Sequence, residues 1–196
     1  FLDYKANREE TPPDIKISVP YIKEIIKGFN IPIFECEGYE ADDILGTLAK
    51  LGEKEGMDVT LVSGDRDLLQ IASDKIKIRI PKTKGGKTET EDYYAKDVLE
   101  KYQVTPLQFI ELKALMGDTS DNIPGVAGVG PKTAGELIQK YGNIDYIYEN
   151  IDTLEIKPKL REKLEGGKDS AFLSRKLGTI SLEAPIDTDM DAYTVS

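Results

Sequence analysis

The order of predicted secondary structure constrains the fold most strongly. In the first half of the chain, short apolar segments typical of strands alternate with amphipathic segments typical of helices. This alternation predicts an α/β fold with a mostly parallel, PIN- or Rossmann-like sheet and helices on both faces. The predicted helices cover residues 18–28, 40–55 and 65–71, and the predicted strands cover residues 31–36, 58–63 and 75–81.

The pattern changes after residue 95, where every further element has helical periodicity. The predicted helices cover residues 96–102, 106–115, 132–141, 144–149, 157–164 and 169–177. We therefore expect an α/β core over residues 1–95 and a helical lobe over residues 96–185. An acidic tail, residues 186–196, is expected to lead toward a linker, and a strand-like piece follows residue 179.

Composition excludes several kinds of chemistry. The 196 residues contain no histidine, which removes histidine general bases, serine triads and the usual zinc sites. The single cysteine, Cys36, excludes an internal disulfide and fits a reducing compartment. A net charge of −10 argues against a plain nucleic-acid binder, unless many of the acids surround bound cations.

Carboxylates cluster at three places. Two clusters follow predicted strands, where an open α/β sheet binds its ligands, and the third lies in a turn after the helix at residues 106–115. Their convergence without histidine or cysteine predicts a site for hard cations, Mg²⁺ or Mn²⁺. Acids in a first helical turn are also ordinary caps, so each early cluster taken alone fits that reading equally well. The expected metal ligands are Glu40, Asp42, Asp43, Asp65, Asp67, Asp118 and Asp121.

A site of this kind suits phosphodiester hydrolysis. Two ions roughly 3.5–4 Å apart can activate water and stabilise an in-line displacement, so no histidine is required. Asp43, Asp65 and Asp118 are the carboxylates expected to be catalytic.

A glycine-rich turn follows the third cluster and runs into the helix at residues 132–141. Its glycines allow close approach of a ligand, and the amides at the helix start can face an anion. This spacing predicts a helix–hairpin–helix motif that grips a DNA backbone without reading sequence. The alternative is a tight turn without a ligand. The turn is not a nucleotide P-loop, because the sequence lacks the four-residue spacer that a P-loop has before Gly-Lys-Thr. The expected contacts are Gly125, Gly128, Gly130, Lys132 and Thr133.

Taken together, these motifs resemble the 5′-nuclease domains of bacterial DNA polymerase I, within the flap-endonuclease family. The resemblance covers almost the whole chain. It rests on YKANR at residues 4–8, GYEADD at 38–43, SGDRDLLQ at 63–70 and LMGDTSDNIPGVAGVGPKTA at 115–134.

The resemblance implies a metal-dependent 5′-3′ exonuclease or flap endonuclease that acts at 5′ ends and flaps in replication and repair. The seven carboxylates match the family's metal-binding acids, and the hairpin matches an element that holds duplex DNA with a bound K⁺. Lys5 and Arg8 match the basic end of the family's arch, although a solvated loop is the plainer reading of this segment alone. The resemblance also implies a monomer in the bacterial cytoplasm, associated with the nucleoid and covalently linked to a polymerase domain.

One departure concerns the start of the chain. In the family, a strand bearing a metal-binding aspartate and further basic arch residues precede YKANR, and the sequence does not contain them. Whether the chain is active alone therefore stays open. Two other functions also stay open: a DNA-binding module whose acids only cap helices, and a nuclease-like domain that positions a neighbouring polymerase.

Overall fold

The computed structural model describes residues 2–195, apart from the side chain of Lys84; Phe1 and Ser196, the outer limits of the predicted core and tail, lie outside it. The described chain is a mixed α/β protein with a small sheet and many helices. The helices are α1 (Pro13–Gly28), α2 (Ala41–Lys54), α3 (Ala95–Tyr102), α4 (Pro106–Met116), α5 (Pro131–Tyr141), α6 (Ile144–Glu149), α7 (Pro158–Gly166) and α8 (Lys168–Gly178). The strands are β1 (Val59–Val62), β2 (Ile76–Lys84) and β3 (Lys87–Tyr93), and two 3₁₀ helices cover Arg66–Ile71 and Met190–Tyr193.

The sheet is mixed, whereas the sequence predicted a mostly parallel one. β1 pairs with β2 in parallel, from Val59 opposite Ile76 to Val62 opposite Arg79, and β3 pairs with β2 in the antiparallel sense. The reason is the turn at Gly85 and Gly86, both with positive φ, because a two-residue loop can join only antiparallel strands.

The strand predicted at residues 31–36 is wrong. This segment is neither helix nor strand and is largely accessible to solvent. An extended segment becomes a strand only when a neighbour supplies hydrogen-bond partners, and none of β1–β3 pairs with it. Instead, the ring of Phe34 packs against Tyr193, with 4.5 Å between the ring centroids.

Helix α1 starts five residues earlier than the sequence predicted. Pro13 occupies its first turn, and Ser18 donates its hydroxyl to the Asp14 carbonyl at 2.7 Å instead of capping the helix. Pro20 consequently lies inside the helix. None of the residues of α1 is buried, and the side chains of Ile22 and Ile25 on its apolar face are exposed.

The helical half agrees with the predicted bounds to within two residues at each end. Its apolar side chains share one hydrophobic core with the sheet, and α4 packs on the 3₁₀ helix Arg66–Ile71. The predicted strand-like piece after residue 179 is not a strand. Its backbone is instead held by Gln70, which donates to the Gly178 carbonyl at 3.0 Å and accepts from the Ile180 amide at 3.0 Å.

Within residues 2–195, none of the helices combines the length and apolar character needed to cross a membrane.

Candidate metal centre and nucleic-acid interface

The carboxyl end of β1 delivers the first pair of acids. After Gly64, Asp65 caps the 3₁₀ helix, because its carboxylate accepts the Asp67 amide at 2.9 Å. Asp65 is therefore a helix cap, as the alternative interpretation of the sequence expected. The cap fixes the first turn of the helix and thereby orients the Asp67 side chain toward α4.

A tight turn after α4 delivers the second pair. Helix α4 ends at Met116 and is capped by Gly117, and Asp118 and Ile123 then exchange two backbone hydrogen bonds of 2.9 and 2.8 Å. The Asp118 carboxylate also accepts the Ser120 amide at 2.8 Å and the Ser120 hydroxyl at 2.5 Å. This closed turn brings Asp121 back beside Asp118.

The two pairs meet where α4 packs on the 3₁₀ helix. Asp67, Asp118 and Asp121 each offer one carboxylate oxygen, and these atoms lie within 4.8 Å of one another. Asp121 is only 5% exposed. Three carboxylate oxygens this close together suit a hard divalent cation such as Mg²⁺, which prefers oxygen ligands. The donor set therefore fits the predicted kind of ion.

Lys113 belongs to this cluster, although the sequence reasoning missed it. Its ammonium is ion-paired with Asp67 and lies 2.8 Å from Asp118, and the residue is 5% exposed. The sequence nevertheless contains a signal that this lysine is buried. Lys113 lies among the apolar residues of α4, and a helix that is apolar on all sides is buried, so a lysine within it needs a buried partner.

The titration behaviour of these groups follows from this contact. Burial opposes ionisation of Asp118, but Lys113 and Ser120 outweigh it and lower the pKa of Asp118 to about 2. Burial raises the pKa of Asp67 despite its contact with Lys113. Burial alone would lower the pKa of Lys113, but Asp67 and Asp118 raise it. Lys113 is therefore a permanent cation between two acids.

The other predicted ligands lie beside this cluster. A cavity of about 310 Å³ is lined by Asp42, Asp43 and Glu40 together with Asp65, Asp67 and Asp121. The pKa of Asp42 is raised to about 7, mainly by burial and then by Asp65, which repels its charged form and forms a hydrogen bond with it. A carboxyl group whose pKa is raised by a neighbouring acid marks a place where a bound cation would relieve repulsion.

Asp43 differs from its neighbours because both of its oxygens are engaged by the backbone. One accepts the Glu40 amide at 3.0 Å, and the other accepts the Ser181 amide at 2.8 Å. In this arrangement Asp43 caps α2 and anchors the C-terminal segment. Glu40 is more open, with a side chain that is 46% exposed.

The basic residues near the start of the chain reach the same site. Lys5 pairs with Glu40, Arg8 contacts Asp121 at 2.5 Å, and the Lys5 amide donates to the Asp121 carbonyl at 2.9 Å. The segment is thus bound to the turn at residues 118–123 and is not a free loop. With Lys113, Arg66 and Lys176, five cations face seven carboxylates, so the site keeps an excess of negative charge.

The glycines of the turn have two different roles. Gly125, at φ +62°, lies so close to Gly117 that a Cβ atom there would be 2.3 Å from the Gly117 nitrogen. Its amide donates to Ser174 at 2.8 Å, and its carbonyl accepts from Ser170 at 2.5 Å. Gly125 is therefore required by the fold itself.

Gly130 has no such constraint. It is the residue before α5, its φ is −91°, and nothing lies within 4 Å of where its Cβ would be. Two residues earlier, the Gly128 carbonyl accepts from Lys163 at 3.0 Å, while Lys132 is exposed and Thr133 is half-buried. The start of α5 is thus open to a ligand, with a lysine beside it.

Comparisons with known proteins agree with these features. Residues 1–103 match the family described as 5′-3′ exonuclease, N-terminal resolvase-like domain, and residues 104–196 match 5′-3′ exonuclease, C-terminal SAM fold. DNA polymerase I of Caldicellulosiruptor bescii is 45% identical over 97% of the chain, and that of Bacillus subtilis is 47% identical over 97%. The chain spans 22% and 21% of the length of these relatives.

Solved structures show the same similarity. The 5′-exonuclease of T5 with bound zinc is 29% identical, with a TM-score of 0.71 over 91% of this chain and 67% of that one. The flap endonuclease of bacteriophage T5, in a complex with DNA and metal ions, is 30% identical, with a TM-score of 0.71 over 93% of this chain and 68% of that one. By sequence match over both halves, the chain belongs to the 5′-3′ exonuclease family.

Proposed function

We propose that this chain is the nuclease part of a DNA polymerase I-like protein and hydrolyses DNA phosphodiesters at 5′ ends and 5′ flaps. The observation that carries the proposal is the meeting of Asp67, Asp118 and Asp121 beside an excess of further carboxylates. Relatives named DNA polymerase I and a T5 flap endonuclease bound to DNA and metal ions support the substrate class.

Mg²⁺ or Mn²⁺ is the proposed cofactor. Asp67, Asp118 and Asp121 would hold one ion, and Asp42 and Asp65 lie where they would share a second. When bound, the ions supply an activated water and neutralise charge on the phosphate. Lys113 holds Asp67 and Asp118 in position, and Arg8 is placed to contact a phosphate oxygen if it releases Asp121. The proposed catalytic carboxylates are Asp43, Asp65 and Asp118, and Glu40 completes the proposed ligand set.

The turn at residues 117–130, together with α4 and α5, is proposed as a helix–hairpin–helix that grips the duplex backbone. The open start of α5 at Gly130 supports this proposal, and Lys132 adds a positive charge there. Gly125, Gly128 and Thr133 complete the proposed contact, with K⁺ as its proposed ion.

The wider organisation is also a proposal. We place the α/β nuclease core at residues 1–95, the DNA-binding lobe at 96–185 and the start of a linker at 186–196. The relatives' much greater length supports a covalently linked polymerase domain. We further propose a monomer that acts in the bacterial cytoplasm at the nucleoid.

The central experiment is cleavage of a labelled 5′-flap DNA with and without Mg²⁺. Asp118→Asn and Asp65→Asn keep a hydrogen-bond acceptor, and so preserve the turn and the cap, but remove a charge. We expect both variants to lose cleavage while duplex binding in EDTA survives. Cleavage that persists in both would refute the metal site, and binding without any cleavage by the unaltered protein would favour the non-catalytic DNA-binding module. A version extended upstream with the family's first strand separates an incomplete site from an inactive one.

The hairpin is tested with a matched pair of variants. Gly130→Ala adds a methyl group that meets nothing in the protein, and alanine caps a helix less well than glycine, so stability should fall by less than about 1 kcal/mol while duplex binding weakens. Lys132→Ala should weaken binding about equally for all sequences and reduce its salt dependence by about one phosphate contact. Unchanged duplex binding by both variants would show that this turn is only a tight connection between helices.

A further inference from the structure

Two asparagines fasten the segment before α1 to the turn after α4. The side-chain amide of Asn7 donates to the Thr119 carbonyl at 2.6 Å. In the opposite direction, the side-chain amide of Asn122 donates to the Asp3 carbonyl, also at 2.6 Å. Each asparagine therefore belongs to one segment and holds the backbone of the other. We call this reciprocal pair of hydrogen bonds the asparagine clamp.

A backbone hydrogen bond lies between the two bonds of the clamp in sequence. The Lys5 amide donates to the Asp121 carbonyl at 2.9 Å. Lys5 has a φ of +58°, a left-handed conformation that lysine rarely adopts and that persists only where the surrounding structure holds it. The asparagine clamp and this backbone bond together provide such a hold, so the segment has a defined conformation against the turn.

The segment held in this way carries two cations to the carboxylates. The Lys5 ammonium pairs with Glu40, and the Arg8 guanidinium contacts Asp121 at 2.5 Å. The side chain of Arg8 is 52% exposed, so it can turn toward a phosphate without movement of its backbone. Because the clamp joins their backbone to the turn that carries Asp118 and Asp121, both cations start from a fixed position relative to these acids.

A fixed starting position matters for catalysis. Groups that are already held in the productive geometry need not be ordered when a substrate binds, and a misplacement of about 1 Å can cost about 10²-fold in rate. The two asparagines donate to backbone carbonyls, so their contacts are with the protein itself. They are therefore suited to orient other groups rather than to touch the substrate.

We propose that Asn7 and Asn122 are positioning residues, which hold Lys5 and Arg8 where they contact the phosphodiester that is cleaved at the carboxylates. The inference rests on the proposed nuclease function and gives a role to two residues that the proposed function leaves without one. It implies that the segment and the turn move as one unit, so that the phosphate-contacting cations and the metal ligands keep their register.

The variants are chosen to open the clamp without disturbing the backbone. Asn122→Gly and Asn7→Ala each remove one donor of the clamp. Glycine adopts the left-handed backbone of Asn122, with φ of +56°, without strain, so we expect the turn to keep its conformation. Asn150→Ala is the control. Asn150 also donates its side-chain amide to a backbone carbonyl, that of Tyr146 at 2.9 Å, but it lines neither of the cavities beside the carboxylates.

The first measurement is hydrogen exchange of the Lys5 amide, followed by NMR. The bond from this amide to the Asp121 carbonyl should slow its exchange in the unaltered protein. Each clamp variant should speed the exchange by about 2- to 12-fold, which corresponds to the loss of one hydrogen bond. Asn150→Ala should leave it unchanged. The amides of β2 should exchange as before in every variant, which separates local release of the segment from unfolding.

The second measurement tests whether the asparagines act through the cations. Single-turnover cleavage of a labelled 5′-flap DNA in Mg²⁺ is measured for each clamp variant alone and in combination with Lys5→Gln/Arg8→Gln. Each clamp variant alone should cut about 2- to 12-fold more slowly. In the background without the two cations it should have no further effect, because a positioning residue acts only through the groups that it positions. If that background no longer cuts, the Kd for the uncut flap DNA in Mg²⁺ is compared instead.

The outcomes separate this inference from the proposed function. A clamp variant with the same effect in both backgrounds would overturn the inference, because the asparagine would then act on the fold or on DNA directly. Unchanged exchange of the Lys5 amide, or an effect on cleavage no larger than that of Asn150→Ala, would also overturn it. Unaltered protein that neither binds nor cuts the flap DNA would overturn the proposed function, and the positioning role would fall with it.

Discussion

Replacing the buried ammonium of Lys113 should destabilise the protein, and metal should compensate for the loss. Lys113→Met keeps the long stem, which lies 3.3 Å from where a Cβ on Gly178 would be, but it leaves Asp67 and Asp118 facing each other without their cation. Removing one partner of a buried ion pair costs about 3–5 kcal/mol. The side chains of Asp67 and Asp118 are 15% and 23% exposed, so the lower end, about 3 kcal/mol, applies.

In a domain of this size the loss corresponds to a Tm lower by about 6–12 °C in EDTA. Divalent ions would take over the role of the ammonium, so the difference in Tm should shrink in millimolar Mg²⁺. Acidic pH should also reduce this difference in Tm. The folded pKa of Asp118 is about 2, below its ordinary value of 3.8, so its contribution to stability is present above 3.8 and is lost as the pH falls toward 2.

The assay is thermal unfolding followed by circular dichroism in EDTA, in Mg²⁺ and across pH 3–8. Lys140→Met is the control, because Lys140 pairs with Glu155 where both side chains are exposed, and such a pair contributes less than about 1 kcal/mol. The reasoning fails if Lys113→Met is no more destabilising than Lys140→Met. It also fails if the destabilisation is the same with and without Mg²⁺.

Three further predictions concern single groups. Because the pKa of Asp42 is raised to about 7, stability without metal should fall as the pH rises from about 4 to 7. Calorimetry at pH 6 should detect the release of a proton when Mg²⁺ binds. This release should disappear at pH 8.5 and in the Asp42→Asn variant. Gly125→Ala should cost about 3 kcal/mol or more in denaturant unfolding, since its Cβ would strike Gly117, and a loss below about 1 kcal/mol would show that the turn relaxes. The buried Tyr148 hydroxyl, whose pKa burial raises to about 12, has no hydrogen-bond partner among the described residues, so Tyr148→Phe should be neutral or stabilise by up to about 1 kcal/mol; a clear loss in Tm would reveal a partner.

The helical half was predictable because its signals are local. Helix α4 carries a Thr105 cap, with Gln108 reaching back to the Thr105 amide, and Pro106 at its first position. Helix α5 begins with Pro131 after a glycine, and α6 begins after Asn143, whose side chain accepts the Tyr146 amide. Such caps and fixed backbone angles act within one turn, so the residues themselves set the helix ends.

Strands could not be predicted with the same success, because a strand depends on its neighbour. The apolar segment at residues 31–36 has the composition of a strand, yet it pairs with none of β1–β3. Residues 87–93 are polar and do not read as a strand, but the turn at Gly85 and Gly86 folds them against β2. In both cases the hydrogen-bond partner decides the outcome, and it lies elsewhere in the chain.

By itself, the sequence determined the chemical character of this protein: carboxylates without histidine, a glycine-rich turn before a helix, and motifs in an order that identifies the family. Tertiary structure alone decided which carboxylates meet. It brought Asp67 to Asp118 and Asp121, inserted Lys113 between two of them, and engaged both oxygens of Asp43 with backbone amides. The physical reason is that electrostatic and hydrogen-bond interactions depend on separations of a few ångströms between residues distant in sequence, and only packing of the helices on the sheet fixes those separations.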